Sequence, residues 1–526
     1  MKTFVVHQLL YHAIITHPDQ VIVSDGKQFT YRQFYTRVIK LANGLKNNGV
    51  KKGTVIGVLD VNSHRFLEMH FACSMLGAVL HTINFRLAPE QMVYSMVHAG
   101  DEWVFVSDVF APAVKPLFSK FPNWVLMSDN REQSLPKEAQ KAFHYEDLVE
   151  QGEEKEPAGA ENVEETDIFS IFYTTGTTGK PKGIPYKHKT LLYGTLQLFH
   201  HLALHKYGAR LSSRDVFMPL IPFFHIHAWG MAFFPIYVGA KLVLPGAADA
   251  AGQQVLIEKE KVSWLNMVPT QLQMLLEQKN FGNVKVLTGG SPFASGIAQK
   301  AQEAGVDFSL IYGGSDQLAT AISVVPEDVE PDTKEALEWR RVGMRPLPLA
   351  EVSVRDKEGR EVPHDGKSLG SVWVRSPWLP DGYYKEPEIT KQHFIDGWFR
   401  TGDLGFFHTN HLLYVADREG DAIKSGGEWI PTGILEALIS EHPSVTQVAV
   451  IPKKDEHWGQ RPLAIVKTSG EVSPEELVEL LTIKVKEGKM AKFWIPDQFI
   501  FVDEIPLTSA GKLNKKVLRD KYSKTK

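Results

Sequence analysis

The chain holds one cysteine, Cys73, in 526 residues. A lone thiol excludes an internal disulfide and a thiolate-rich metal centre, and it suits a reducing compartment such as the cytoplasm. Charge of one sign is also scarce. The 58 Lys+Arg against 62 Asp+Glu leave a net charge of −4, too weak a field for a protein that wraps nucleic acid. Internal repeats and long low-complexity tracts are lacking. The start, Met1 to Leu10, does not read as a secretory leader, because His7 and Gln8 interrupt its apolar stretch. From Val216 to Ala240 there is no Asp, Glu, Lys or Arg, and that is long enough to cross a bilayer. Pro219, Pro222 and Pro235, with His225 and His227, break the run. Such breaks suit buried core and pocket lining, not a transmembrane segment.

What is present reads as a large α/β enzyme. At roughly 150 residues per domain, the length allows about three or four folding units. The run Thr54 to Leu59 predicts a buried strand, Phe66 to Val79 a helix, and Trp103 to Val106 another strand, which is the rhythm of a parallel sheet. Gln151 to Glu165 is an expected exposed connection, and Pro326 to Glu338 a charged surface loop or helix. The charged break at Asp417–Asp421 precedes a second unit with Val445 to Ile451 as strand, Pro474 to Lys486 as helix and Gln498 to Val502 as strand. The expected division is 1–416, a hinge at 417–421, and a small α+β unit at 422–526.

The sharpest chemical signal is the segment Tyr173 to Gly183, which follows the strand-like run Ile168 to Phe172. It offers the hydroxyls of Thr174, Thr175, Thr177 and Thr178, the glycines Gly176, Gly179 and Gly183, and the cations Lys180 and Lys182. Glycines let backbone N–H groups approach an anion, hydroxyls donate further hydrogen bonds and lysines add charge, so a polyphosphate is the natural guest. It is not a Walker A loop, because Gly176 and Gly179 stand too close and Pro181 follows Lys180. Gly366-Lys367-Ser368-Leu369-Gly370 fits a nucleophile elbow by letter, but a turn precedes it and a strand-like run follows, so it reads as a hairpin turn. His201 and His205 share a helical spacing without an obvious third ligand, and zinc is not expected there.

The phosphate loop resembles the signature of the adenylate-forming superfamily, which includes acyl-CoA synthetases, luciferases and peptide-synthetase adenylation domains. Further motifs follow in the family's order: Phe223 to Trp229, Gly289-Gly290-Ser291-Pro292, Tyr312-Gly313-Gly314-Ser315-Asp316, Arg400-Thr401-Gly402-Asp403, Asp417-Arg418 leading to Lys424 to Ile430, and Pro506 to Lys512. The Lys424-Ser425-Gly426-Gly427-Glu428-Trp429-Ile430 run looks most like the medium- and long-chain fatty acyl-CoA synthetase branch. The fold this implies is α/β. A large N-terminal domain of parallel and mixed sheets with helices and a terminal barrel-like subdomain is followed by a small mobile α+β domain.

The resemblance implies two half-reactions: a carboxylate attacks the α-phosphate of ATP to give acyl-adenylate and pyrophosphate, and coenzyme A then displaces AMP. Because two anions must meet, positioning and charge neutralisation carry the first step. By the same likeness, Lys512 is the catalytic cation and His225 flanks the acyl site. ATP would be held by Thr174, Thr175, Gly176, Thr177, Thr178, Gly179, Lys182, Gly290, Ser291, Tyr312, Gly313, Ser315, Asp403 and Arg418. Tyr312 would stack on adenine and Asp403 would take the ribose hydroxyls. Mg2+ would lie near Thr174 and Asp316, where the family usually has Glu. Trp229 would gate an acyl tunnel, with Gly289 and Gly314 in its wall, and His227 stands where the branch often has Asn. Lys424, Gly426, Gly427 and Glu428 would line the coenzyme A path, and Gly420 takes the hinge position. Read without the family, Tyr312, His225 and Trp229 could be core residues, Asp403 a turn aspartate, Arg418 a surface charge and Lys512 a tail lysine.

The implied enzyme is an AMP-forming acyl-CoA ligase for a medium- or long-chain fatty acid. The alternatives are a shorter, aryl or functionalised acid, transfer to a carrier protein, a luciferase-like oxygenase, and a non-catalytic nucleotide-binding module. Related fatty acyl enzymes include dimers, which leaves a homodimer open.

Overall fold

The computed structural model describes residues 4–174, 180–277, 283–507 and 513–523. Two large sheets with helices between and around them make up most of the described chain. A 14-stranded mixed sheet has the parallel strands Val216–Pro219, Trp264–Met267, Lys285–Gly289 and Asp307–Gly314 near its centre. A 7-stranded sheet holds Val55–Leu59, Val79–Thr82 and Ile168–Tyr173 in parallel, with Gly183–Lys187 antiparallel to the last. These strands are mostly buried because both faces are covered, and polar side chains within them such as His81, Ser170 and Asn266 are buried too.

Local chemistry sets the helices that cover them. Helix Tyr31–Asn47 starts with a reciprocal capping box between Thr30 and Gln33. Helix His64–Leu76 is capped by Ser63, which accepts from the Phe66 N–H, and it stops at Gly77 in the left-handed conformation. The helix expected to run to Val79 therefore ends earlier, and Val79 begins a strand instead. The charged patch after Pro326 is part loop and part helix, Lys334–Val342, capped by Thr333. The antiparallel strands expected as a barrel-like subdomain continue the larger sheet, with Leu413–Arg418 and Trp398–Phe407 paired beside Met344–Pro346.

After Arg418 the chain forms its own three-stranded sheet. Val445–Asp455 and Gly459–Thr468 pair antiparallel, and Gln498–Phe501 joins parallel to the second. Helices Thr432–Ile439 and Pro474–Lys486 cover an apolar core of Ile423, Leu435, Val450, Val466 and Leu481. Ile423–Ser425 and Glu428–Ile430 form a short hairpin that turns at Gly426 and Gly427, with φ of 59° and 92°. Two consecutive left-handed residues are what glycine allows at low cost.

Candidate active site

One group of side chains gathers where the C-terminal end of strand Asp307–Gly314 meets strands Trp398–Phe407 and Leu413–Arg418. The register shifts between Tyr312 and Gly313, and a Cβ on Gly313 would overlap the Leu318 carbonyl oxygen. That irregularity turns Tyr312 so that its hydroxyl donates to Asp403 Oδ2 at 2.6 Å. Asp403 lies opposite Arg418 in the antiparallel register, and Arg418 Nε stands 3.0 Å from Asp403 Oδ1. The Asp403 N–H donates to Thr401 Oγ1 at 3.0 Å, and Thr401 in turn donates to the Val372 carbonyl. Burial and then the Asp403 carboxylate push the Tyr312 hydroxyl well up. Asp403 leads the causes that raise the Arg418 guanidinium. Tyr312, Asp403 and Arg418, expected around a nucleoside, therefore share one hydrogen-bonded cluster.

A second group lies at the neck of the phosphate loop. The Thr174 N–H donates to the Lys182 carbonyl at 3.0 Å, and the Lys182 N–H donates to Thr174 Oγ1 at 3.2 Å, so these two residues clamp both ends of the loop. Thr175, Gly176, Thr177, Thr178 and Gly179 lie outside the described residues, as does Lys512. Lys182 Nζ sits 4.7 Å above the Tyr383 ring and 3.5 Å from His393 Nε2. The Tyr383 hydroxyl donates to Asp316 Oδ2 at 2.8 Å. Burial raises the Asp316 carboxyl, opposed by Tyr383, Lys182, Arg418 and His393. The Arg418 charge thus acts on the Asp316 carboxyl while it pairs with Asp403, which links the two groups electrostatically. Tyr186 fixes the backbone here by donating to the Ser315 carbonyl at 2.7 Å. Tyr383 and His393 were not singled out from the sequence. The Gly382-Tyr383-Tyr384 cluster was the available signal, and nothing about its spacing pointed at Asp316.

The site fits a magnesium ion held mainly by phosphate oxygens. Asp316 keeps Oδ1 outside its Tyr383 bond, and its burial disfavours the bare carboxylate, so a nearby cation would be favourable. Among the described residues no group of three or more His, Cys, Asp or Glu could hold a metal alone. Mg2+ commonly binds through one or two carboxylates plus phosphates, which needs no such cage.

The Val216 to Ala240 stretch, expected to line the acyl site, is mostly buried. Among the described residues no helix is long and apolar enough to cross a membrane. Ile226, His227, Ala228 and Trp229 all have positive φ, 50° to 56°, and form a left-handed turn directly after His225. Trp229 is buried with Phe199, Phe234, Ile311 and Leu318 in the main apolar core. Gly289 allows close strand contact, since a Cβ there would lie 2.5 Å from the Ile311 carbonyl oxygen. Gly290 follows with φ of 83°, and Ser291 is half-buried beside it. Gly314 ends the strand that carries Tyr312.

The residues expected on the coenzyme A path share one hairpin. Lys424 Nζ lies over the Trp429 ring at 5.5 Å, and its backbone N–H donates to Gln460. Gly426 packs on Trp458, whose carbonyl accepts from the Gly426 N–H at 2.9 Å. Trp458 is 51% exposed beside this turn, and sequence reading missed it because it lies in the turn of a different hairpin, Val445–Asp455 and Gly459–Thr468. The hairpin's polar contacts are with its own unit, Gln460 and Arg461, so the structure does not gather Lys424 and Glu428 with Tyr312 and Asp316. Gly420 sits in an open turn with nothing near its Cβ position.

Asp417, at the end of its strand, links the two units. Its Oδ2 accepts from the Thr432 hydroxyl at 2.6 Å and from the Gly433 N–H at 3.4 Å. Lys515 Nζ donates to Thr432 Oγ1 at 2.6 Å and pairs with Glu436 Oε1 at 2.8 Å. This knot is buried and ties helix Lys515–Tyr522 to helix Thr432–Ile439.

The Gly366 to Gly370 match is a turn. Asp365 accepts from the Lys367 and Ser368 N–H groups, making the expected turn before strand Gly370–Arg375. His201 and His205 face each other, Nε2 to Nε2, at 3.3 Å.

Comparison with known proteins agrees with this architecture. A family model described as AMP-binding enzyme matches residues 10–384, and one for the AMP-binding enzyme C-terminal domain matches residues 435–512. A long-chain-fatty-acid–CoA ligase of Thermus thermophilus is 36% identical over 94% of this chain and 90% of its own. A 3-methylmercaptopropionyl-CoA ligase of Ruegeria lacuscaerulensis is 33% identical over 99% of this chain and 98% of its own. The crystal structure of an anthranilate CoA ligase with anthranoyl-AMP superposes with a TM-score of 0.84 at 24% identity, covering 99% of this chain and 98% of that one. At that identity the likeness speaks for the fold. The family match, the two relatives and the clustered site together establish that the chain belongs to the AMP-binding enzyme family as an ATP-dependent, AMP-forming acid–CoA ligase.

Proposed function

We propose that this ligase activates a medium- or long-chain fatty acid. The observation that carries the reading is the apolar lining of the core in which Trp229 is buried, a core that also holds Phe199, Phe234, Ile311 and Leu318. Such a lining rewards an aliphatic tail by burial, at about 0.8 kcal/mol per methylene. An acid carboxylate oxygen attacks the α-phosphorus and pyrophosphate leaves. Coenzyme A thiolate then attacks the acyl carbonyl and AMP leaves. In this reading Tyr312 stacks on adenine, Asp403 takes the ribose hydroxyls and Arg418 steadies Asp403 while facing the phosphates. The loop from Thr174 to Gly179 and Lys182 cradles the phosphates with Gly290, Ser291, Gly313 and Ser315, and Lys512 neutralises the meeting of carboxylate and α-phosphate. Mg2+ would be held by Thr174 and Asp316 and would offset phosphate charge. His225, Trp229, Gly289 and Gly314 shape the acyl pocket, and Lys424, Gly426, Gly427 and Glu428 the coenzyme A path. We infer units at 1–416 and 422–526 joined by a hinge at 417–421, where Gly420 supplies the freedom to rotate between half-reactions.

A second reading, a shorter or functionalised acid, is favoured by the buried polar pair that His227, within the gate turn, makes with His70. The 3-methylmercaptopropionyl relative points the same way. Pyrophosphate exchange over straight-chain, thioether and aryl acids separates the two. The fatty acid reading predicts the highest kcat/KM at medium or long chains, and a maximum at a short functionalised acid overturns it. Product analysis with free coenzyme A tests against carrier loading, and sedimentation velocity tests the proposed homodimer. A cytoplasmic location is inferred from the single, buried thiol of Cys73.

A further inference from the structure

Four consecutive non-glycine residues, Ile226 to Trp229, adopt positive φ. In that region each Cβ crowds the following carbonyl, so such a turn persists only where its surroundings hold it. The surroundings here are polar and specific. His227 Nδ1 lies 2.8 Å from His70 Nε2, and His227 Nε2 lies 3.0 Å from Ser170 Oγ. His70 Nδ1 lies 2.7 Å from the Phe66 carbonyl oxygen. All three side chains are fully buried. Asn266 holds the next residue by donating to the Ala228 carbonyl at 2.7 Å.

The direction of the chain of bonds follows from its end. A carbonyl oxygen only accepts, so His70 Nδ1 carries the hydrogen. Burial lowers both imidazoles, His70 to about 4, so both are neutral near pH 7. His70 Nε2 is then a bare acceptor, and His227 must donate through Nδ1. That leaves His227 Nε2 as an acceptor for the Ser170 hydroxyl. Every donor and acceptor is used in one sense only, so the ring of His227 has one orientation and one tautomer. Ser170 is on strand Ile168–Tyr173, which leads into the phosphate loop, and His70 is on helix His64–Leu76. The clip thus ties the Trp229 turn to the strand that carries the phosphate loop.

We propose that His70 and Ser170 are positioning residues that clamp His227, hold the left-handed turn and thereby set which acids pass Trp229. The proposal rests on the acyl-gate reading of Trp229. His70→Leu removes the acceptor for His227 Nδ1. His70→Gln can restore it through Oε1. Pyrophosphate exchange with butanoate, octanoate and palmitate is measured for the full-length wild type, Trp229→Ala, His70→Leu, His70→Gln, Ser170→Ala and the double variant Trp229→Ala/His70→Leu. The ratio of kcat/KM for palmitate over butanoate is expected to shift about tenfold in His70→Leu, the scale of one lost buried hydrogen bond. The KM for ATP stays unchanged, His70→Gln returns the ratio to wild type, and His70→Leu adds nothing in the Trp229→Ala background. If Trp229→Ala moves the ratio and His70→Leu does not, the clamp is overturned and the gate stands. If neither moves it, the gate reading itself fails and the clamp with it. Should His70→Leu fail to fold, Ser170→Ala, which removes one hydroxyl, must shift the ratio in its place, and an unchanged ratio refutes the clamp.

Discussion

The Tyr312 hydroxyl donates to Asp403 Oδ2 at 2.6 Å, while Arg418 Nε holds the other oxygen, Oδ1, at 3.0 Å. In the proposed reading the pair joins the two edges of the nucleoside site: a ring that can stack on a base and a carboxylate that can take two hydroxyls. Asp403 is thereby aimed before any nucleotide arrives. Tyr312→Phe keeps the ring and loses the tether, so the KM for ATP is expected to rise by about tenfold with little change in kcat. Asp403→Ala removes the acceptor and leaves Arg418 unpaired, and a loss of about a hundredfold or more in kcat/KM for ATP is expected. Steady-state pyrophosphate exchange measures both, and equal, small effects would remove Asp403 from the nucleoside site.

Lys512→Ala should nearly abolish formation of the acyl-adenylate while sparing thioester formation from supplied adenylate. The cation is needed where carboxylate and phosphate meet, a need that ends once the adenylate exists. Single-turnover assays of each half-reaction give the comparison, and equal losses in both would refute this division.

Tyr383→Phe deletes the hydroxyl that donates to Asp316 at 2.8 Å. The carboxylate then loses a neutral donor that helps keep it charged in a buried setting. The Mg2+ concentration for half-maximal exchange is expected to rise by roughly three- to tenfold, the effect of one such bond. Asp316→Asn should raise it further. A magnesium titration of exchange activity decides, and unchanged midpoints in both variants would move the metal away from Asp316.

Glu436 predicts a pH effect on stability. Burial pushes its carboxyl from 4.5 up to about 7, against the pull of Lys515. A folded value above the unfolded one means that the native state keeps this proton longer. Its contribution is full below about pH 4.5 and is lost as pH rises through about 7. Glu436→Gln should flatten that fall, with a change of roughly 1–3 kcal/mol between pH 5 and 8. Lys515→Met leaves Glu436 buried without its partner and is expected to cost about 3–5 kcal/mol at neutral pH. Urea unfolding at pH 5, 6.5 and 8 checks both, and parallel pH curves for wild type and Glu436→Gln would contradict the assignment.

Much of the molecule could be read from local pattern. Strand Val55–Leu59 and helix Pro474–Lys486 follow from apolar runs and caps, within a residue of expectation. The turn at Asp365 was legible because a short acidic side chain beside glycine makes its own backbone bonds. The end of helix His64–Leu76 was misplaced because Gly77, small enough to pass within a helix, instead takes the left-handed cap. Tyr383, His393 and Trp458 were missed for another reason. Tyr383 lies in a loop, His393 at a helix end and Trp458 in a hairpin turn, and each meets its partner (Asp316, Lys182 and Gly426) across a long stretch of chain.

The amino-acid order alone pointed to a polyphosphate guest, because phosphate binding needs hydroxyls, glycines and cations close together in the chain. The reaction class followed from the resemblance of its ordered motifs to a known family. That resemblance also named the residues expected to meet a nucleotide. Only the tertiary structure decided how those residues are held. His70 reaches His227 across 157 positions, and Tyr383 reaches Asp316 across 67. A hydrogen bond depends on atoms arriving within about 3 Å in the right orientation, which packing of distant segments sets and local sequence does not encode.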